Sequence, residues 1–122
     1  MRCVSVAVAV ILGVTVGVAG GAWAAARGFT ISDFGAVASD EICVGKGRAM
    51  FERFGAEEVL ATDWTVNAYG VGFADIDAAV VCSYGPGGQT QVSVIFHSWG
   101  GGDEDGLRQS LPEQLRPIWD GL

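Results

Sequence analysis

Histidine, lysine and closely spaced cysteine pairs are scarce in this chain. There is one histidine, His97, and one lysine, Lys46; arginine supplies the other six of 7 basic side chains. Against these stand 14 acidic residues, for a formal net charge of −7. No cluster of lysine and arginine occurs. Nucleic acids and anionic lipids are bound by positive side chains that displace counterions, so neither is an expected partner. A catalytic zinc needs several His, Cys or carboxylate ligands, which argues against zinc here. Cys-X-X-Cys, the usual setting of a redox-active pair, is missing. So is Gly-x-Ser-x-Gly, the turn that presents a nucleophilic serine. Ser93 and Ser98 lie near His97 in sequence, but no supporting motif accompanies them. No catalytic residue, metal or cofactor is therefore assigned.

What the chain does have begins with an uncharged run over residues 4–22, in which Ser5 and Thr15 are the only polar side chains. Arg2 precedes it, and Ala22-Trp23-Ala24 places small residues at the −3 and −1 positions of a cleavage site. This is the pattern of a secretory signal peptide over residues 1–24. The run also reaches the lower length limit of a membrane span. Gly13, Gly17 and Gly21 repeat at the spacing that lets membrane helices approach closely, so a retained N-terminal anchor is the alternative. Either way, Arg2 stays on the cytoplasmic side and residues 25–122 are exported as a single small domain, periplasmic or extracellular. Contact with the membrane is expected only if the N-terminal segment is retained.

The exported part opens with a period-two stretch over residues 28–34, where Phe29 and Ile31 alternate with Thr30 and Ser32; this reads as a strand. Ser39 or Asp40 then caps a helix running to about Phe54, with Asp40 and Glu41 favourably placed in its first turn. Cys43, Gly47, Met50 and Phe54 form its apolar stripe, and Gly55 ends it. Gly47 on that stripe permits close approach to a sheet. Residues 58–67 alternate as one strand, with Leu60, Thr62, Trp64 and Val66 on one face. Gly70 and Gly72 make residues 68–75 a bend or loop.

The centre of the chain is a hairpin over residues 78–98. Two apolar runs flank Gly85-Pro86-Gly87-Gly88, which suits a turn; a phosphate cradle would lead into a helix instead. Val80, Cys82 and Tyr84 share one face with Val92, Val94 and Phe96. The other face carries Gln91, Ser93, Ile95 and His97. Asp103-Glu104-Asp105 then opens a last helical region with Leu107, Leu111, Leu115 and Ile118 or Trp119 at helical spacing. Pro112 allows one helix or two. The acidic groups there, and Asp75 with Asp77, offer the oxygen donors calcium uses, but neither stretch matches a ligand loop.

The order strand, helix, three strands, helix defines an α+β fold: an antiparallel sheet of about four strands with two helices packed on one face. After export Cys43 and Cys82 remain, both directed toward the core, and an oxidising compartment favours a disulfide between them. Ile95, His97 and Trp99 recur at period two on the wetter face as a possible binding strip.

With its signal-like residues 1–24, its helix around Cys43-Val44-Gly45-Lys46-Gly47, and Val80-Val81-Cys82 followed by Val92-Ser93-Val94, the chain resembles small exported bacterial α+β domains of unknown function. The abundance of alanine, glycine, valine and arginine suits a GC-rich bacterial genome. The resemblance implies export and a disulfide, and no catalytic residues. The leading expectation is a non-catalytic binding domain of the cell envelope, whose partner is another envelope protein or a small ligand. The alternatives are a small hydrolase or thiol-redox enzyme using His97 or Cys43 and Cys82, and a membrane-anchored accessory subunit.

N-terminal sequencing of the exported protein is expected to begin at Ala25. Recovery of Met1 would establish the anchored form.

Overall fold

The computed structural model describes residues 28–100 and 103–122. The two expectations for residues 1–24, signal peptide and anchor, lie outside the described residues. Among the described residues no helix is long and apolar enough to cross a membrane.

Strand β1 (Gly28–Val37) is followed by helix α1 (Asp40–Phe54), strands β2 (Glu58–Ala61), β3 (Thr65–Tyr69), β4 (Ile76–Tyr84) and β5 (Thr90–Ser98), and helix α2 (Asp103–Asp120). The strands form one antiparallel sheet in the order β1-β5-β4-β3-β2. Both helices pack on the same face of it. The fold is the expected α+β type, with five strands where sequence periodicity gave about four.

The extra strand arises at residues 62–64. Alternation through Leu60, Thr62, Trp64 and Val66 predicts one continuous strand, but the chain turns back there. Thr62 Oγ1 accepts the Thr65 N–H at 3.0 Å and lies 2.6 Å from Thr65 Oγ1. A threonine that bonds its own backbone neighbourhood competes with ladder pairing. The turn is then fixed to β4 by the Cys82 N–H, which donates to the Trp64 carbonyl at 2.9 Å. The expected loop over residues 68–75 starts later than the sequence indicates, because Ala68 and Tyr69 complete β3.

Helix α1 starts where its cap predicts. Ser39 Oγ accepts the Ile42 N–H at 3.2 Å, and Asp40 and Glu41 occupy the first turn. The buried stripe is Cys43, Gly47, Met50 and Phe51, so Phe51 takes the place expected for Phe54. A Cβ on Gly47 would lie 3.1 Å from Val80 Cγ2 and 3.2 Å from Val66 Cγ2. Glycine thus sets how closely α1 approaches the middle of the sheet. Directly beside this contact, Cys43 and Cys82 form a disulfide with a Cα–Cα distance of 6.1 Å. Asp40 Oδ1 also accepts the Thr90 hydroxyl at 2.7 Å, fixing the start of α1 to β5.

Helix α2 is one helix that contains both Pro112 and Pro117. Each proline removes an i→i−4 bond; burial of Leu111, Leu115 and Trp119 outweighs that loss. The fourth buried residue is Arg108, which sequence reasoning did not select. Its guanidinium donates to Ser98 Oγ at 2.7 Å, Thr30 Oγ1 at 3.1 Å and Asp105 Oδ1 at 3.0 Å. A side chain at Gly28 would collide with this guanidinium. The charge joins α2 to β1 and β5, with Nε and Nη1 matched by three acceptors that offset the burial of the guanidinium.

The core faces inward from every strand. Ile76, Ala78, Val80 and Cys82 of β4 and Val92, Val94 and Phe96 of β5 meet Cys43, Met50, Phe51, Leu111, Leu115 and Trp119 of the helices. Tyr84 keeps the Cys82 register but is 96% exposed, whereas Thr90 opposite it is buried.

Replacing Cys43 and Cys82 together by alanine is expected to lower unfolding free energy by about 4 kcal/mol, from the loop the bridge closes. Denaturant titration checks the value. Because both cysteines are buried, the native bridge should resist reductant until the protein unfolds.

Candidate functional site

Side chains alternate across a strand, so the face opposite the helices follows from the register. One row crosses all five strands: Ile31, Ile95, Ala79, Asn67 and Leu60 stand opposite one another in turn. A second row pairs Phe29, His97 and Asp77. Ile31 is 71% exposed, Phe29 68% and Leu60 50%. Tyr69 and Trp99 are also exposed. An antiparallel sheet with one solvated face usually carries polar residues there. This one has such a polar row, Asp33, Ser93, Val81 and Thr65, but beside it carries apolar and aromatic side chains with no described element over them.

The aromatic side chains are ordered by one another. The Phe29 and His97 rings stack with centroids 4.5 Å apart. His97 meets Trp99 edge-on at 4.4 Å. Trp99 lies just beyond β5, where its Nε1–H donates to Asp77 Oδ2 at 2.8 Å and its backbone N–H to the Asp75 carbonyl at 3.1 Å. The Asp75 N–H in turn donates to Glu104 Oε2 at 2.9 Å, which links this corner to the first turn of α2. Next to the aromatic group, Asn67, Tyr69, Asp77, Ala79, Ile95 and His97 line an open depression of about 170 Å³. The small side chain of Ala79 leaves this space between its larger neighbours.

Ile95, His97 and Trp99 therefore do share one side of the molecule. They form its middle, since β1 places Phe29 and Ile31 beside them and β4 adds Asp77. Sequence reasoning found the period-two pattern at Phe29 and Ile31 but had no means of knowing that this strand pairs with β5. Tyr69 and Leu60 were missed because the fold-back at Thr62 determines their position.

The other candidates are separated from this face. Ser98 points inward, where its Oγ donates to Asp105 Oδ1 at 2.8 Å and accepts from Arg108. Neighbouring residues of one strand face opposite ways, so Ser98 and His97 cannot form a catalytic pair. Ser93 lies on the His97 face with Ile95 between them. The Cys43–Cys82 sulfurs belong to the core, away from any attacking thiolate. Of the acidic groups, Glu104 and Asp105 hold backbone and arginine partners, and among the described residues no group of three His, Cys, Asp or Glu side chains is placed to hold a metal ion. The Gly85–Gly88 stretch is a hairpin turn, with Gly87 and Gly88 at positive φ and the Gly85 N–H donating to the Gln89 carbonyl at 2.8 Å. A second depression of about 390 Å³ lies between α1 and the residue 62–64 turn, lined by Asp40, Glu41, Val44, Thr62 and Asp63.

Fold and face together define a two-layer, disulfide-bridged α+β domain whose sheet is open on one side. Compared with known protein families, with curated proteins and with solved structures, the chain matches none.

Substituting Ile31 or Leu60 by threonine is expected to change stability by no more than about 0.5 kcal/mol, as for surface positions generally. Phe96→Ala, on the opposite face of β5, should cost about 3 kcal/mol or more. Denaturant titration of the three variants measures the contrast between the faces.

Proposed function

We propose that this chain is an exported, non-catalytic binding domain of the cell envelope, and that its recognition surface is the open sheet face. One observation carries the reading: a row of side chains crosses all five strands, apolar except for Asn67, with its ends at Ile31 and Leu60 well exposed. Large contiguous apolar surface facing water is unfavourable unless something covers it, and such patches commonly mark interaction sites. The aromatic group beside it has the composition of binding hot spots, where tryptophan and tyrosine are enriched. Rigid rings lose little conformational freedom on binding, and Trp99 is already oriented by Asp77. The buried disulfide supports a structural role for both cysteines, and it is the bond expected of a domain that matures in an oxidising compartment.

The resemblance to small exported bacterial domains supports the same localisation. The sheet face serves equally a domain released by cleavage after Ala24 and one that keeps its N-terminal segment.

Photo-crosslinking in the intact envelope tests the reading. A crosslinking residue placed at Ile95 should trap a discrete adduct, whereas the same residue at Arg48, on exposed α1, should not. Trp99→Ser should reduce the Ile95 adduct while leaving the unfolding transition in place. Adducts of equal yield from both positions, or none from Ile95, would overturn it.

A further inference from the structure

The five basic side chains among the described residues all belong to the helices: Lys46, Arg48 and Arg53 to α1, Arg108 and Arg116 to α2. None belongs to a strand. Three are engaged within the helix-covered side of the domain. Lys46 Nζ lies 4.5 Å from the Trp119 ring centroid, Arg116 packs over Phe34, and Arg108 is held by Ser98, Thr30 and Asp105. The sheet face opposite carries Asp33, Glu58 and Asp77, the last at the centre of the aromatic group. The helices thus mix these five cations with eight carboxylates, whereas the strands of the open face carry carboxylates and no described cation.

We propose that the open face binds an apolar polypeptide segment of a partner protein that carries a basic side chain, and that this side chain enters the depression between Tyr69, Asp77 and His97. The proposal deepens the binding reading above and rests on it. Three properties of the depression match such a group. Asp77 is a carboxylate whose Oδ2 receives Trp99 Nε1–H; a carboxylate has about four lone-pair sites, so acceptor capacity remains for an incoming donor. Tyr69 lines the same space, and a tyrosine ring face attracts a guanidinium or ammonium through the ring quadrupole. Asn67 adds an amide oxygen at the wall. Around the depression, Ile31, Ile95 and Leu60 supply the surface for the apolar remainder of the segment, and partly dehydrate the ion pair so that it is less screened.

A second copy docked face to face is disfavoured by the same charges. It would bring two carboxylate-bearing surfaces together with no described lysine or arginine on either, a juxtaposition that costs free energy. Arginine is the better basic group on geometric grounds, because its planar guanidinium can stack on a ring while donating to a carboxylate.

The test uses the full exported protein and two short blocked peptides of alternating leucine and valine, one with a central arginine and one with citrulline, its uncharged near-isostere. Binding is followed by the Trp99 indole N–H and backbone amide resonances. The arginine peptide should shift Trp99, Asp77 and Tyr69, and bind more tightly than the citrulline peptide by about tenfold, a factor equivalent to ~1.4 kcal/mol. Asp77→Asn keeps an acceptor for Trp99 and should remove that difference, as should salt at about 0.5 M, where screening acts over a few Å. Equal affinity for the two peptides, with shifts on the sheet face, would overturn the charge preference while leaving the binding face intact. Shifts confined to the Asp40–Asp63 depression, or concentration-dependent self-association through the sheet face, would overturn the assignment of the occupant. Absence of any shift, together with no crosslink from Ile95, would remove the binding reading as well.

Discussion

The Cys43–Cys82 bond joins the first turn of helix α1 to the middle strand of the sheet, and the two-layer arrangement depends on it. Its location matters more than its number. β4 is flanked by two strands on each side, so a helix tied there covers the sheet at its centre. Gly47, one turn along from Cys43, brings the helix close enough for Val66 and Val80 to fill the space beneath it. The covalent bond limits the conformations of the unfolded chain, and the glycine contact makes the native arrangement compact.

With α1 fixed at the centre, α2 covers the β1–β5 side. Arg108 is what makes that docking specific. A buried guanidinium is unfavourable unless its donors are satisfied, and Ser98, Thr30 and Asp105 supply acceptors only when α2, β1 and β5 are in register. Helix placement thus uses a covalent bond on one side and a hydrogen-bonded charge on the other. The two prolines within α2 are tolerated because apolar burial at Leu111, Leu115 and Trp119 holds the helix in place.

Both helices lie on one face, and no described element covers the other. The consequence is chemical as well as geometric. Because the described lysine and arginine residues are all helical, none of them lies on the open face, which carries the carboxylates of Asp33, Glu58 and Asp77. Its aromatic group is assembled from β1, β5 and the segment after β5, and the depression beside it borrows Tyr69 and Asn67 from β3. No single stretch of chain contains this surface.

Local patterns determined much of the scaffold. The Ser39 cap, the Cys43–Met50 stripe, the glycine turn before Gln89 and the period-two runs of β4 and β5 are each readable over a few residues, because local sterics and burial act at that range. The pairing of Cys43 with Cys82 was readable for the same reason, since each already faced the core of its own element. Tertiary structure decided the rest. The reversal at Thr62 depends on bonds made across it and on the Trp64 carbonyl meeting β4. The burial of Arg108 depends on acceptors from strands distant in sequence. The composition of the open face depends on β1 lying beside β5, a neighbour more than fifty residues away. Alternation in a strand divides its residues into two faces, but only packing determines which face the helices cover.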